Sequence, residues 1–429
     1  CAQTGETGEI PTLEYYMIMN GVTQQDDLDT VQTAINEVLV EEIGAKVNMH
    51  LVSDWNYNST MGMIINSGDN WDLCFTSNWT NSYKGNVAKE TFLDITDMLP
   101  KYAPSLYANV DSKVYDAIKV NGRIYGAISL QILPRIPGFT VDKAVWEEYC
   151  ETTGFSAEMV SKISDIEGYL QYCKENKDDY NIISPCDNSG VMVALGYDDI
   201  YGVTYPGAVK VTDDPSDGLT VVNQFAQPDY YEFFKMSAKW YQNGWISKDV
   251  LTNQFDATKS YGWLETTYKP GVDGTGTIRA GKETFSFAFG EPVMYNSWLS
   301  CNINAVNSES KHPEKCLQLL ELMNNDKELC NMFIYGIENK HYKKIGENRV
   351  ELIENSGYTM ANTSWQFANQ FNAYLTDPQQ DNVWEETKTL NEQATYSPLV
   401  GFNFDFSKFE IELSNCYNVY TEYMTSFIQ

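Results

Sequence analysis

The sequence predicts an α/β fold in more than one compact body, and three observations carry that prediction. Its 429 residues exceed what one hydrophobic core usually holds, so two domains are expected. Its first eighty residues alternate short apolar runs with amphipathic ones, in the order strand, helix, strand, helix, strand that begins a doubly wound parallel sheet. No stretch of eighteen consecutive apolar residues occurs, so no helical membrane span is expected.

"LEYYMIMN", residues 13–20, is an aromatic and β-branched run bounded by Asn20-Gly21 and reads as a buried strand. Val31, Ala34, Ile35, Val38 and Leu39 then recur at helical spacing and stop at Gly44, a natural C-terminal cap. "KVNMHLVS", residues 46–53, is the second strand, a helix follows over roughly 57–67, and "WDLCFTS", residues 71–77, is the third strand. In such sheets ligands sit beyond the carboxyl ends of the strands, and Asn20, Trp55 and Trp79 each follow a strand on that edge. The third strand runs straight into "NWTNSY", which sets Trp79 and Tyr83 among small polar groups. Asn20-Gly21-Val22-Thr23 lacks the spacing of a phosphate-binding loop, so the edge suits something other than a nucleotide.

Further on, "VNGRIYGAISL", residues 120–130, predicts a hairpin turn at Asn121-Gly122 entering a strand. Residues 141–240 read as mostly helical, with a helix ending at Asn243-Gly244. The Gly-rich stretch 269–281 reads as a surface loop, and 285–305 as strand-like chain leading to a helix near Pro313. The C-terminal third reads as helical, with aromatic clusters at Trp365–Phe367 and in "GFNFDF", residues 401–406. No internal repeat or low-complexity tract is present.

Composition removes several function classes. A formal charge of −30, from 29 basic and 59 acidic residues, repels phosphate backbones, so no nucleic-acid partner is expected. Ten Trp and 29 Tyr are a surplus that core accounts for in part and that a neutral polar ligand with flat faces would also explain. The cysteines form no CxxC pair and the three histidines are far apart, so no metal and no cofactor are expected.

Four stretches carry a resemblance: "VNGRIYGAISL"; "NINAVNSESKHPEKCLQLLELMNNDKEL", residues 302–329; "YGIENKHY", residues 335–342; and "GFNFDFSKFEIE", residues 401–412. In this order they resemble the extracellular solute-binding proteins of sugar ABC importers, related to maltose-binding protein, and most of all the lipoprotein subgroup of Firmicutes. Ala127 and Ile128 replace the proline region usual after the hairpin, and Asn339 stands where glycine is usual. The resemblance implies a two-lobed periplasmic-binding-protein fold, with a ligand cleft between the lobes and a crossover hinge. It implies crossings near 126–131 and 296–302, one lobe of 13–128 plus 300–360, and another of 129–297 plus 361–429. Cys1 followed by the small polar stretch 2–9 looks like the lipid-modified start of a mature lipoprotein, with residues 1–12 as a flexible tether to the membrane. The implied partners are an oligosaccharide and an ABC permease with its ATPase, the protein itself being a monomer on the outer face of the membrane.

Sugars offer apolar C–H faces and a rim of hydroxyls, which proteins meet with aromatic rings and polar side chains in a concave site. Trp79 and Tyr83, Tyr295 with Asn296 and Trp298, and Trp365 with Phe367 fit that chemistry, beside Asn20 and Trp55. Gln131 and Arg135 follow the first crossing and are candidate hydrogen-bonders, while Asp405 either accepts from hydroxyls or caps a helix. Two alternatives stay open. The same architecture binds peptides or other small solutes, and a secreted glycan-cleaving enzyme needs only two carboxylates about 5 to 10 Å apart. No Gly-x-Ser-x-Gly elbow or HExxH motif is present, so no catalytic residue is assigned.

Overall fold

The structure, a computed structural model, describes residues 9–20, 23–177, 182–184, 188–214, 216, 218–248, 256–358, 360–404 and 406–428. The chain divides into two compact units, one of residues up to 131 with 299–376, the other of 132–298 with 377–429.

The first unit opens with β1 (Thr12–Met19), α1 (Gln25–Ile43), β2 (Lys46–Ser53), α2 (Asp54–Ser67) and β3 (Leu73–Thr76). α1 stops at Gly44, whose φ of 63° lets its N–H turn back to the Val40 carbonyl. β1 lies between β2 and β3 and is parallel to both. Beyond β3 the sheet continues with Ile303–Val306 and then Ala127–Ile128, and Ile303–Val306 runs antiparallel to both neighbours. The sheet is therefore mixed, the returning chain entering against the grain of the parallel strands. Helices Pro313–Asn325 and Lys327–Tyr335 pack against α1. The hairpin turn has φ of 51° at Asn121 and 77° at Gly122, with Val120 paired to Arg123, as a primed turn requires.

Residues 361–376 fall in this first unit, whereas the resemblance implies a first lobe ending at 360. The reason is Gln366, fully buried, whose Oε1 accepts from the Ile18 N–H at 2.8 Å and whose Nε2 donates to the Ile18 carbonyl at 2.7 Å. Its amide completes the β1 ladder where no strand lies. The "YGIENKHY" segment is structural as well. Buried His341 accepts the Ile337 N–H at Nδ1 and meets Asp27 of α1 at 3.2 Å through Nε2. Asn339 stands at φ 64°, a left-handed position that asparagine tolerates in place of glycine.

The second unit is built on an antiparallel sheet ordered Gly262–Glu265, Gly138–Asp142, Thr284–Ala288. Its core joins Phe139, Trp146, Tyr149, Tyr169, Trp240 and Trp245, which absorbs much of the aromatic surplus. The described residues of 141–240 include the short strands Tyr197–Asp199 and Ala208–Lys210 besides their helices. The Gly-rich stretch is helix Val272–Ala280 and not a loop. A Cβ on Gly276 would lie 2.6 Å from the Thr284 hydroxyl, so the glycine admits close approach of helix to sheet. Residues 285–305 form three short strands, because the chain breaks at Pro292 and again at the turn from Tyr295.

Candidate functional site

Asn20, Trp55 and Trp79 follow the carboxyl ends of β1, β2 and β3, which are parallel, so the first unit gathers them on one sheet edge. Trp55 opens α2 and is 90% exposed. Trp79 sits in a loop braced from every side. Ser77 Oγ accepts the N–H groups of Trp79 and Thr80 at 3.1 and 2.8 Å. Asn81, in the left-handed region at φ 44°, donates to the Phe75 carbonyl at 2.9 Å, and the Asn78 N–H reaches the Ser300 carbonyl at 3.0 Å. The loop is thus fixed before any ligand arrives.

The Trp79 indole N–H donates to the Cys301 carbonyl at 3.0 Å. The ring leans on Phe75 and Trp365, with centroids 5.8 and 5.9 Å away, and Phe75 and Trp365 meet edge-to-face at 5.3 Å. Trp79 nevertheless stays 48% exposed. Two indoles held on a buried phenylalanine, one of them open to solvent, make a rigid apolar platform on the sheet edge. Gln366 positions Trp365 through its bonds to Ile18 one residue before the end of β1.

Two candidates are core instead. Tyr83 is buried, its hydroxyl donating to the Ile118 carbonyl and accepting the Tyr125 N–H, because it opens a short helix that turns inward after the Ser82 cap. Phe367 is fully buried against Phe333. Gln131 is also buried, with its amide 3.7 Å from the Cys301 sulfur. Asp405 and Cys1 lie outside the described residues.

The second unit collects the others around the turn from Tyr295 to Trp298, closed by a 3.0 Å hydrogen bond from the Trp298 N–H to the Tyr295 carbonyl. Tyr295 is buried with its hydroxyl toward the Val193 carbonyl. The Arg135 guanidinium lies 4.5 Å over the Trp298 ring while bonding the Ser189 hydroxyl at 2.7 Å and the Thr266 carbonyl. The Trp298 indole N–H is buried with no acceptor among the described residues. Buried Asn296 accepts the Gly401 N–H at 3.0 Å and donates to the Phe402 carbonyl at 3.1 Å. Phe402 and Phe404, both more than a third exposed, then stack at 5°.

Sequence reasoning passes over Asp198, the residue on which this turn is built. Its fully buried carboxylate accepts the Asn296 N–H at 2.7 Å and the Ser297 hydroxyl at 3.0 Å. Burial, and then the neighbouring Asp199, push it up to about 6, against the pull of Ser397, Asn296 and Ser297. An acidic dipeptide in a chain with 59 acidic residues offers no signal of burial. Among the described residues no group of three or more His, Cys, Asp or Glu side chains converges as a metal site, and no helix is long and apolar enough to cross a membrane.

The chain is 26% identical to a carbohydrate ABC transporter substrate-binding protein of Streptococcus pneumoniae, over 99% of this chain and 84% of that one. It superposes with a TM-score of 0.82 on the N-glycan transport solute-binding protein NgtS of S. pneumoniae, at 25% identity over 97% of this chain and 90% of that one. The score is 0.72 against NgtS in complex with Man5GlcNAc, at 25% identity and the same coverage. No family model matches the chain. The fold is that of the solute-binding proteins.

Proposed function

We propose that this chain captures an oligosaccharide outside the cell and delivers it to the permease of a carbohydrate ABC importer, performing no chemistry on it. The observation that carries this reading is the half-exposed Trp79, held rigid against Phe75 and Trp365 on the carboxyl edge of β3. An indole face fixed in that way offers a hexose its apolar side without losing loop entropy on binding. The whole-length likeness to a carbohydrate substrate-binding protein supports the same reading, and NgtS, crystallised with Man5GlcNAc, supports glycans built of mannose and N-acetylglucosamine as first ligands to try. The polar groups of the second unit, Arg135 and Asn296, suit hydroxyls, although their side chains already hold protein partners.

A thermal-shift screen over oligosaccharides tests the proposal, since a ligand at a hundred times its Kd stabilises by about 2.7 kcal/mol. Mannose- and N-acetylglucosamine-containing glycans should raise the melting temperature, and a panel that leaves it unmoved would refute the reading. The lipid anchor at Cys1 and the monomeric state belong to the same proposal, resting on the resemblance to the lipoprotein subgroup. Mass spectrometry of the protein from its host should find an acylated Cys1, and light scattering should give the mass of one chain.

A further inference from the structure

Asp198 is a fully buried carboxylate. It sits on strand Tyr197–Asp199, and four donors converge on it: the Asn296 N–H at 2.7 Å, the Ser297 hydroxyl at 3.0 Å, the Ser297 N–H at 3.4 Å and the Ser397 hydroxyl. Strands Val293–Met294 and Thr395–Tyr396 pair in parallel just before the last two, so one acid ties together three separate pieces of chain. Asn296 carries the tie onward by clamping Gly401 and Phe402. Two successive backbone N–H groups aimed at one carboxylate form an anion-binding nest. A buried charge is costly, and a neutral or apolar residue would serve packing alone equally well.

We propose that Asp198 is the positioning residue of the second unit's ligand-contacting segment: its carboxylate sets the 295–298 turn that presents Asn296 and Trp298, and through Asn296 it fixes the Gly401–Phe402 loop. This rests on the reading of the chain as an oligosaccharide binder. Asp198, fully buried, acts through the backbone it holds. The charged and titratable groups around it are Asp199 on its own strand and Tyr295 and Arg135 on the facing segments. On the paired strand, Lys210 bonds Asp229 and lies over the Tyr197 ring.

The experiment is Asp198→Asn in the full chain, read first without ligand. Asparagine keeps the shape but sets an NH2 group against donors. Hydrogen exchange at the amides of Asn296 and Ser297 should then speed up at least tenfold, since each bond to a charged acceptor holds about that factor, and the Gly401 amide, held through Asn296 Oδ1, should lose protection with them. Unchanged protection overturns the proposal whether or not a sugar is ever found. Titration with a Man5GlcNAc oligosaccharide follows: the variant should bind about tenfold more weakly or worse while staying folded. Equal affinity in wild type and variant overturns the positioning role. Wild-type protein that binds no glycan refutes the binding reading, with the exchange result still deciding Asp198. Should the variant fail to fold, wild-type exchange decides instead: the amides of Asn296 and Ser297 must be protected at least tenfold over free exchange, and unprotected amides there overturn the proposal.

Discussion

Trp79→Ala should lower stability and affinity by separable amounts. The indole is 48% exposed, bonded at one edge to the Cys301 carbonyl, and in contact with two rings. Cutting a fully buried Trp to alanine costs about 3 to 5 kcal/mol. With half the ring already in water, about 2 kcal/mol is expected here, including about 1 kcal/mol for the lost hydrogen bond. The affinity term is independent of this. Stacking of a flat ligand on an aromatic side chain contributes about 1 to 3 kcal/mol where it has been measured with nucleobases, so the Kd should rise roughly 5- to 150-fold. Trp79→Phe separates the parts, since phenylalanine keeps a face for the sugar but has no N–H for Cys301. It should keep much of the affinity and lose about 1 kcal/mol of stability. Urea unfolding of ligand-free protein and isothermal titration calorimetry with the best glycan from the screen read the two quantities. An alanine variant that loses stability but binds as tightly as wild type would refute the platform.

Tyr83→Ala should cost about 3 to 5 kcal/mol of unfolding free energy, because it empties a core site and strands the Ile118 carbonyl and Tyr125 N–H; affinity per folded molecule should not change. Gln366→Ala leaves both backbone groups of Ile18 unpaired in the interior, and urea unfolding should show a loss of about 2 to 6 kcal/mol at one to three for each orphaned group. Asp198 also makes a stability prediction with a definite sign. Its folded value, about 6, lies above the ordinary 3.8, so its contribution is fully present below that ordinary value and is lost as pH rises through about 6. The difference is roughly 3 kcal/mol at 1.36 kcal/mol per unit. Urea melts between pH 4 and 8 should show this slope in wild type and not in Asp198→Asn.

The opening strand–helix alternation was legible because each element there is amphipathic or short and apolar, and Gly44 marks the end of α1 by its backbone conformation alone. The sheet-edge position of Trp79 followed from parallel topology, which sends every strand end to the same side. What the pattern could not supply is direction. Tyr83 and Trp79 lie four residues apart in similar surroundings, and only the inward turn of the helix from Tyr83 makes one core and leaves the other open. Phe367 and Trp365 differ for a like reason, since Gln366 between them is tied to Ile18. The glycines of 272–280 read as flexibility when considered singly, whereas they serve contact with Thr140, Thr284 and Pro378 from distant parts of the chain. Asp198 was illegible because its role depends on donors about a hundred and two hundred residues away.

A crystal structure of the chain with the oligosaccharide that most raises its melting temperature tests the central claim most directly. The account predicts a hexose ring lying flat on the open face of Trp79, carbon atoms about 3.5 to 4 Å from the indole, with Phe75 and Trp365 unmoved beneath it. A glycan bound elsewhere on the molecule, with Trp79 bare, would contradict it.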